Sequence, residues 1–129
     1  IHGCANAMYL PKVIKYNAKN EEAAERYAQI ADHIGLGGTT TTEKVDALIA
    51  ELRSMNDQLD IPQAIKFYGA GGVKAETSII DEAEFLEKLP TVAANAIGDA
   101  CTGSNPRQPS QEEMEKLLKA CYYDLEIDF

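Results

Sequence analysis

Apolar residues recur about every three or four positions along most of the chain, the spacing that places them on one face of an α-helix. The clearest case is Val45–Leu59, whose apolar stripe follows Thr40 and Glu43, a pair typical of a capping box. Asn20 and Ser110 precede two further amphipathic stretches that carry acidic residues in their first turns. These segments are predicted to be helices, because a half-buried strand would alternate apolar and polar residues.

Two of the predicted helices contain a proline in their interior. Pro11 lies within Ala5–Tyr16, and Pro90 lies within the helix that should begin after Asp81. Proline has no backbone N–H to donate, and its ring collides with the preceding turn. We therefore expect the second helix to be kinked, and the first to be kinked or divided into two at the proline.

The remaining segments complete a predicted all-α domain. Asp60 to Phe67 should form a short helix with Pro62 in its first turn, and the stretches Tyr68–Ser78 and Cys101–Pro109 should be loops. With five or six helices and no convincing strand, residues 1–129 are predicted to form a single helical bundle. For the helix after Asn20, the predicted apolar face consists of Tyr27, Ile30, Ala31 and Ile34.

Composition and charge exclude several classes of function. The net charge of −9 would repel phosphate backbones and anionic lipids, which argues against nucleic acid or a membrane as a partner. No apolar run is long enough to cross a bilayer. Cys4, Cys101 and Cys121 are too widely spaced for a zinc ribbon or a disulfide framework, so we expect reduced thiols in a cytoplasmic protein.

The residue chemistry alone does not define a site. His2 and His33 are the only histidines, and a metal site usually needs three or four ligands. His33 is expected to be a structural or surface residue near a helix end. Cys101 could form a thiolate pair with a histidine, but a buried structural cysteine is the simpler expectation.

Two motifs resemble the iron-containing (group III) alcohol dehydrogenases. Residues 2–13, HGCANAMYLPKV, are similar to the HGxANAxxLPxV stretch of that family, and residues 101–107, CTGSNPR, are similar to its CTGxNPR loop. The motifs occur in the family order, and Asn17 also matches the family pattern. The resemblance spans the chain, with Tyr68–Ser78 as an insertion or variable loop.

The resemblance implies a fold and an activity. Family members combine an α/β domain that binds NAD(P) with an all-helical domain that holds Fe²⁺, or Zn²⁺, through one Asp and three His. Carried over, the last of these histidines is His2, and Cys101 lines the substrate pocket. The metal would polarise the oxygen of a short-chain alcohol or aldehyde while hydride passes to or from the nicotinamide. Asn105 to Arg107 are expected to fix their loop.

The family's other metal ligands and its coenzyme domain are missing from the chain. The sequence is therefore interpreted as the C-terminal fragment of a two-domain dehydrogenase. We expect the fragment to be inactive alone, with no catalytic or coenzyme-binding residues and no bound cofactor. The parent, stand-alone or bifunctional aldehyde–alcohol dehydrogenase, is expected to be a homo-oligomer. The alternative hypothesis is a non-enzymatic helical interaction or assembly module.

Overall fold

The computed structural model describes all residues from Ile1 to Phe129 and is entirely helical, as predicted. A single β-bridge joins Tyr68 to Lys74, and no strand is present. None of the helices is both long and apolar enough to span a membrane. The five α-helices are α1 (His2–Asn17), α2 (Glu21–His33), α3 (Thr41–Gln58), α4 (Glu82–Gly98) and α5 (Gln111–Tyr123), with 3₁₀ turns at Ile65–Phe67, Ala70–Gly72 and Thr102–Ser104.

The predicted helix starts are confirmed by their side-chain caps. The Asn20 side chain accepts a hydrogen bond from the backbone N–H of Ala23 at 2.9 Å. Thr40 and Ser110 each form a reciprocal capping box with the glutamate three residues later. These bonds satisfy N–H groups that have no partner within the first turn of a helix.

α1 is the central helix of the bundle. It contributes Ile14, Met8 and Tyr16, one to each of three buried apolar clusters. The first cluster joins α1 to α2 and α3, while the other two join α1 to α5. The remaining buried members of the clusters are Ala24, Ala31, Val45 and Leu48 in the first, Ile65, Cys121 and Tyr122 in the second, and Leu117, Ala120 and Ile127 in the third.

The predicted apolar faces of α2 and α3 are partly wrong. Ile30 and Ile34 are 48% and 52% exposed, and Met55 and Leu59 at the end of α3 are 46% and 67% exposed. The buried residues of α2 are Ala24, Ala28 and Ala31. Ala24 and Ala31 pack with Val45 and Leu48 of α3, so small side chains rather than the most hydrophobic ones form this contact.

The short helix predicted from Asp60 to Phe67 is also wrong, since only the 3₁₀ turn Ile65–Phe67 forms. Asp60 adopts a left-handed backbone with φ of 55°, and the N–H of Ile61 bonds back to the carbonyl of Asn56. Pro62 then disfavours a helical backbone at Ile61, the residue before it. The chain therefore leaves α3 in an extended path.

α1 runs through Pro11 as one helix, so its predicted division into two is wrong; the kink stays a prediction. Pro11 cannot donate to the carbonyl of Ala7, four residues earlier. The side-chain amide of Asn56 on α3 donates to that carbonyl instead, at 2.9 Å. Asn56 is only 6% exposed, so this bond fastens α1 to α3 within the packed interior.

A second polar contact joins three segments around Asp124. Asp124 ends α5 in the left-handed conformation, and its carboxylate accepts two hydrogen bonds from Arg53, each of 2.8 Å. Lys12 of α1 lies 2.8 Å from the same carboxylate and also donates to the carbonyl of Leu125. Burial raises the pKa of Asp124, but the hydrogen bonds from Arg53 and Lys12 outweigh it, so the pKa lies below its usual value of 3.8.

Replacing Asn56 by Ala should lower the free energy of unfolding by about 1–3 kcal/mol, because the Ala7 carbonyl would lose its side-chain donor. Pro11→Ala restores an N–H that can donate to the same carbonyl. In the Pro11→Ala background, Asn56→Ala should therefore lower the free energy of unfolding by less than about half of what it does in the wild type. Urea unfolding of the four proteins measures the coupling, and equal losses in both backgrounds would contradict this account.

Acid should weaken the fold through Asp124. Because the folded pKa is depressed, the stabilisation is complete above the unfolded value of about 3.9. It is lost as pH falls through the lower folded pKa. Asp124→Asn should therefore reduce the slope of unfolding free energy against pH below about 4. Asp46→Asn, which removes an exposed carboxylate paired only with Lys15, is the matched control for the loss of one negative charge.

Candidate functional site

His2 is the first residue of α1, and its imidazole is exposed. The side-chain amide of Asn6, one helical turn later, lies 3.1 Å from Nε2 of His2. No group of three His, Cys, Asp or Glu residues lies close enough anywhere in the chain to hold a metal ion. The residues present therefore offer a single imidazole and do not by themselves fit an iron site.

His33 has no part in this arrangement. It is the last residue of α2 and is exposed, as predicted for a surface histidine at a helix end. The thiol of Cys101 makes no hydrogen bond to either histidine, so the structure provides no thiolate–imidazole pair.

The loop after α4 presents Cys101 at the surface. The prediction of a buried structural cysteine is wrong for this residue, which is exposed. The loop turns tightly because the Thr102 hydroxyl donates to the carbonyl of Ala96 at 2.6 Å and the Ser104 hydroxyl donates to that of Cys101 at 2.7 Å. The Asp99 carboxylate accepts the backbone N–H of Cys101 at 2.8 Å. Side chains of the loop thus satisfy backbone groups at the end of α4.

An amide pair fastens the same loop to the end of α1. The side chains of Asn17 and Asn105 donate to each other at 3.0 and 2.8 Å, and Asn17 is only 3% exposed. Asn105 also donates to the carbonyl of Arg107. Two amides that each donate and accept hold a fixed relative orientation, because rotation of either one would break both bonds.

Arg107 provides the second attachment. Its guanidinium donates to the carbonyl of Tyr16 at 2.6 Å and to that of Phe129 at 3.2 Å, and it lies 3.8 Å from the centre of the Tyr16 ring. The Tyr16 carbonyl belongs to the last turn of α1, where helical donors run out. The prediction that Asn105 to Arg107 fix their loop agrees with these contacts.

The loop closes one side of a cavity between α1, α4 and α5 with a volume of about 470 Å³. Ten of its thirteen lining residues are hydrophobic, and none is charged. The lining residues are Tyr9, Val13, Tyr16, Val92, Ala96, Cys101, Thr102, Asn105, Pro109, Met114, Leu117, Leu118 and Cys121. Cys101 therefore lies beside an apolar cavity.

Sequence reasoning identified Cys101 but missed the rest of the cavity. Its walls come from three helices and a loop that are far apart in the chain, so no local motif contains them. One sequence pattern could have indicated part of the cavity wall. His2, Tyr9 and Tyr16 are each seven residues apart, a spacing that returns to the same face of a helix.

The three thiols have different surroundings. Cys121 is buried, and burial raises the pKa of its thiol to about 12. Cys4 is partly buried, and its thiol donates to the carbonyl of Gly72 at 3.3 Å. Cys101 alone is exposed.

Comparison with known proteins identifies relatives along the whole chain. Residues 1–122 match the model of the Fe-containing alcohol dehydrogenase family, C-terminal. The chain is 48% identical to NADPH-dependent butanol dehydrogenase of Clostridium saccharobutylicum, over 99% of this chain and 30% of that protein. It is 35% identical to the bifunctional aldehyde-alcohol dehydrogenase of Escherichia coli K12, over 95% of this chain and 14% of that protein. An alcohol dehydrogenase of Thermococcus barophilus is 34% identical, with 28% of its length covered.

The rate of alkylation should differ between the buried and the exposed thiol. Iodoacetamide reacts with the thiolate, so Cys121 should be labelled at least about tenfold more slowly than Cys101 in the folded protein at pH 8. Peptide mass spectrometry over time measures both rates. Labelling in concentrated urea is the control, because the difference should disappear there. Equal rates in the folded protein would contradict the buried position of Cys121.

Proposed function

Because this chain belongs to the Fe-containing alcohol dehydrogenase family, we propose that it is part of an enzyme that interconverts a primary alcohol and its aldehyde with NAD(P). The family match carries the proposal, since it covers 122 of the 129 residues and includes both the HGCANA and the CTGSNPR motifs. The related proteins described above are named as alcohol, butanol or aldehyde–alcohol dehydrogenases.

The chain spans no more than about a third of those relatives. We infer that His2 supplies one imidazole to the Fe²⁺, or Zn²⁺, of the whole protein. Its exposed ring at the start of α1 supports this role, because donors from other parts of the protein can reach it. The remaining donors and the NAD(P) site belong to those other parts.

Cys101 is proposed to line the pocket for a short-chain alcohol or aldehyde. Its thiol is exposed beside an uncharged cavity, and the Asn17–Asn105 pair and Arg107 fix its loop against α1. A fixed, apolar wall orients the carbon chain of a substrate, while the reacting oxygen is bound elsewhere. We further propose that the whole enzyme works as a homo-oligomer in the cytoplasm.

The test uses the full-length protein loaded with iron. His2→Ala should lower the metal affinity at least about tenfold, since even neighbours of metal ligands change affinity by that much. NAD(P)-linked oxidation of 1-butanol should fall with it. Elemental analysis after dialysis against a range of chelator concentrations measures the first effect.

His33→Ala is the matched control, because it removes the other histidine from an exposed helix end. It should retain both metal and activity. Undiminished metal affinity in His2→Ala would refute the ligand assignment. A metal-loaded parent that oxidises neither ethanol nor 1-butanol with NAD or NADP would refute the proposed function.

A further inference from the structure

The segment that follows α5, Leu125–Phe129, runs alongside the last turns of α1 and reaches the Cys101 loop, residues 101–107. We propose that this tail is a strap that positions the Cys101 loop, and that Arg107 is the positioning residue through which it acts. The family model matches residues 1–122, so the tail lies outside the matched part and its own contacts define its role. The inference rests on the proposed function in one respect, which is that the Cys101 loop lies against the substrate.

Charged side chains fix the start of the tail. The carboxylate of Asp124, which ends α5, lies 2.8 Å from Lys12 of α1 and accepts two hydrogen bonds of 2.8 Å from Arg53 of α3. Lys12 also donates to the carbonyl of Leu125 at 2.7 Å, and it is only 7% exposed. Hydrogen bonds between charged groups are stronger than neutral ones. The direction in which the tail leaves α5 is therefore set by α1 and α3.

Apolar packing and one further hydrogen bond hold the rest of the tail. Ile127 is only 6% exposed and belongs to the apolar cluster that contains Tyr16. The ring of Phe129 packs against the same cluster, with its centre 6.0 Å from that of the Tyr16 ring. Lys19, just after α1, donates to the carbonyl of Asp128 at 3.0 Å. These contacts offset the conformational entropy that an irregular segment loses when it is ordered, so the tail keeps one path along α1.

Arg107 connects the tail to the loop. Its Nη1 atom donates to the carbonyls of Tyr16 and Phe129 at 2.6 and 3.2 Å. The guanidinium also lies 3.8 Å from the centre of the Tyr16 ring, the ring against which Phe129 packs. The side chain of Arg107 is only 20% exposed, so water offers it few alternative partners. Because one nitrogen bonds to both carbonyls, a movement of Phe129 changes the orientation of Arg107 and with it the position of the loop.

The loop has a second attachment that does not involve the tail. The paired amides of Asn17 and Asn105 would still hold the loop to α1 if the strap were loosened. Loosening the strap should therefore increase the fluctuation of the loop without unfolding the domain. His2 lies about 21 Å from Tyr16 along α1, at a rise of about 1.5 Å per residue. Metal binding at His2 should therefore not change.

The first experiment measures hydrogen exchange of the loop in the full-length protein by mass spectrometry. The backbone N–H groups of Thr102, Ser104 and Asn105 donate to carbonyls of the same segment, so their exchange reports its opening. Phe129→Ala removes the ring that packs against Tyr16. It should speed this exchange at least about fivefold, the loss expected for a partly exposed ring. Phe129→Tyr keeps the ring and should restore the wild-type rate.

Two controls show whether the effect is local. Leu125→Ala alters the same tail, but Leu125 is 50% exposed and lies outside the three apolar clusters, so loop exchange should be unchanged. Exchange within α2 should be unchanged in every variant, because only the loop is expected to open. If Phe129→Ala speeds exchange equally in the loop and in α2, the ring stabilises the whole domain and the inference fails.

The second experiment tests whether the tail acts through Arg107. In an Arg107→Ala background, Phe129→Ala should speed loop exchange by less than about twofold, because the connection is already lost. An equal effect in both backgrounds would contradict the role of Arg107. Lys19→Ala is a milder change that removes one exposed donor to the tail, and it should speed loop exchange about twofold. It decides the question if Phe129→Ala does not fold, since unchanged exchange in Lys19→Ala would then overturn the strap.

The third experiment measures NAD(P)-linked oxidation of 1-butanol by the iron-loaded full-length protein. Phe129→Ala should raise KM at least about threefold and leave kcat within about twofold, because substrate binding must then order a looser loop. The amount of bound iron should be unchanged. If loop exchange rises while KM does not, the tail does not position the loop for the substrate and the inference fails.

These measurements separate the strap from the proposed function. If the wild type oxidises 1-butanol but loop exchange does not respond to Phe129→Ala, the strap fails and the proposed function stands. If the wild type oxidises no alcohol while loop exchange responds as expected, the strap stands and the proposed function fails.

Discussion

The arrangement of the bundle depends on a carbonyl group that its own helix cannot satisfy. Pro11 removes the donor that Ala7 would otherwise use, and Asn56 of α3 replaces it from a buried position. A partly buried carbonyl without a partner costs about 1–3 kcal/mol, so the contact with α3 stabilises α1 as one helix. Because α1 also contributes to all three apolar clusters, this contact fixes the helix around which the others pack.

The far end of α1 is also held from outside the helix. Arg107 donates to the carbonyl of Tyr16 in the last turn, and the side chain of Asn105 pairs with that of Asn17. The two motifs therefore meet at one helix. Pro11 of the first motif leaves the Ala7 carbonyl for Asn56 of α3, and Asn105 and Arg107 of the second motif fasten the Cys101 loop to the end of α1.

The features that could be predicted from sequence are local ones. A cap at Thr40 or Ser110 involves residues three positions apart, so the pattern contains the whole interaction. The buried face of α2 depends on the helix that packs against it. Hydrophobicity alone predicts that Ile30 is buried, but alanines are buried instead. The role of Asn56 was not predicted, although the sequence contains a signal for it. Asn56 is a polar residue within the apolar stripe of α3. A buried polar residue at such a position indicates a specific partner.

The candidate site has two components, an uncharged cavity and one potential metal ligand. This chain supplies an uncharged cavity and a single exposed imidazole at His2, and no group of three His, Cys, Asp or Glu residues in it could hold a metal ion. His2 and three of the residues that line the cavity, Tyr9, Val13 and Tyr16, lie on α1, so their spacing is set by the rise of one helix and not by a loop. The other walls come from α4, α5 and the Cys101 loop, where residues can change in size without moving the helix that carries His2.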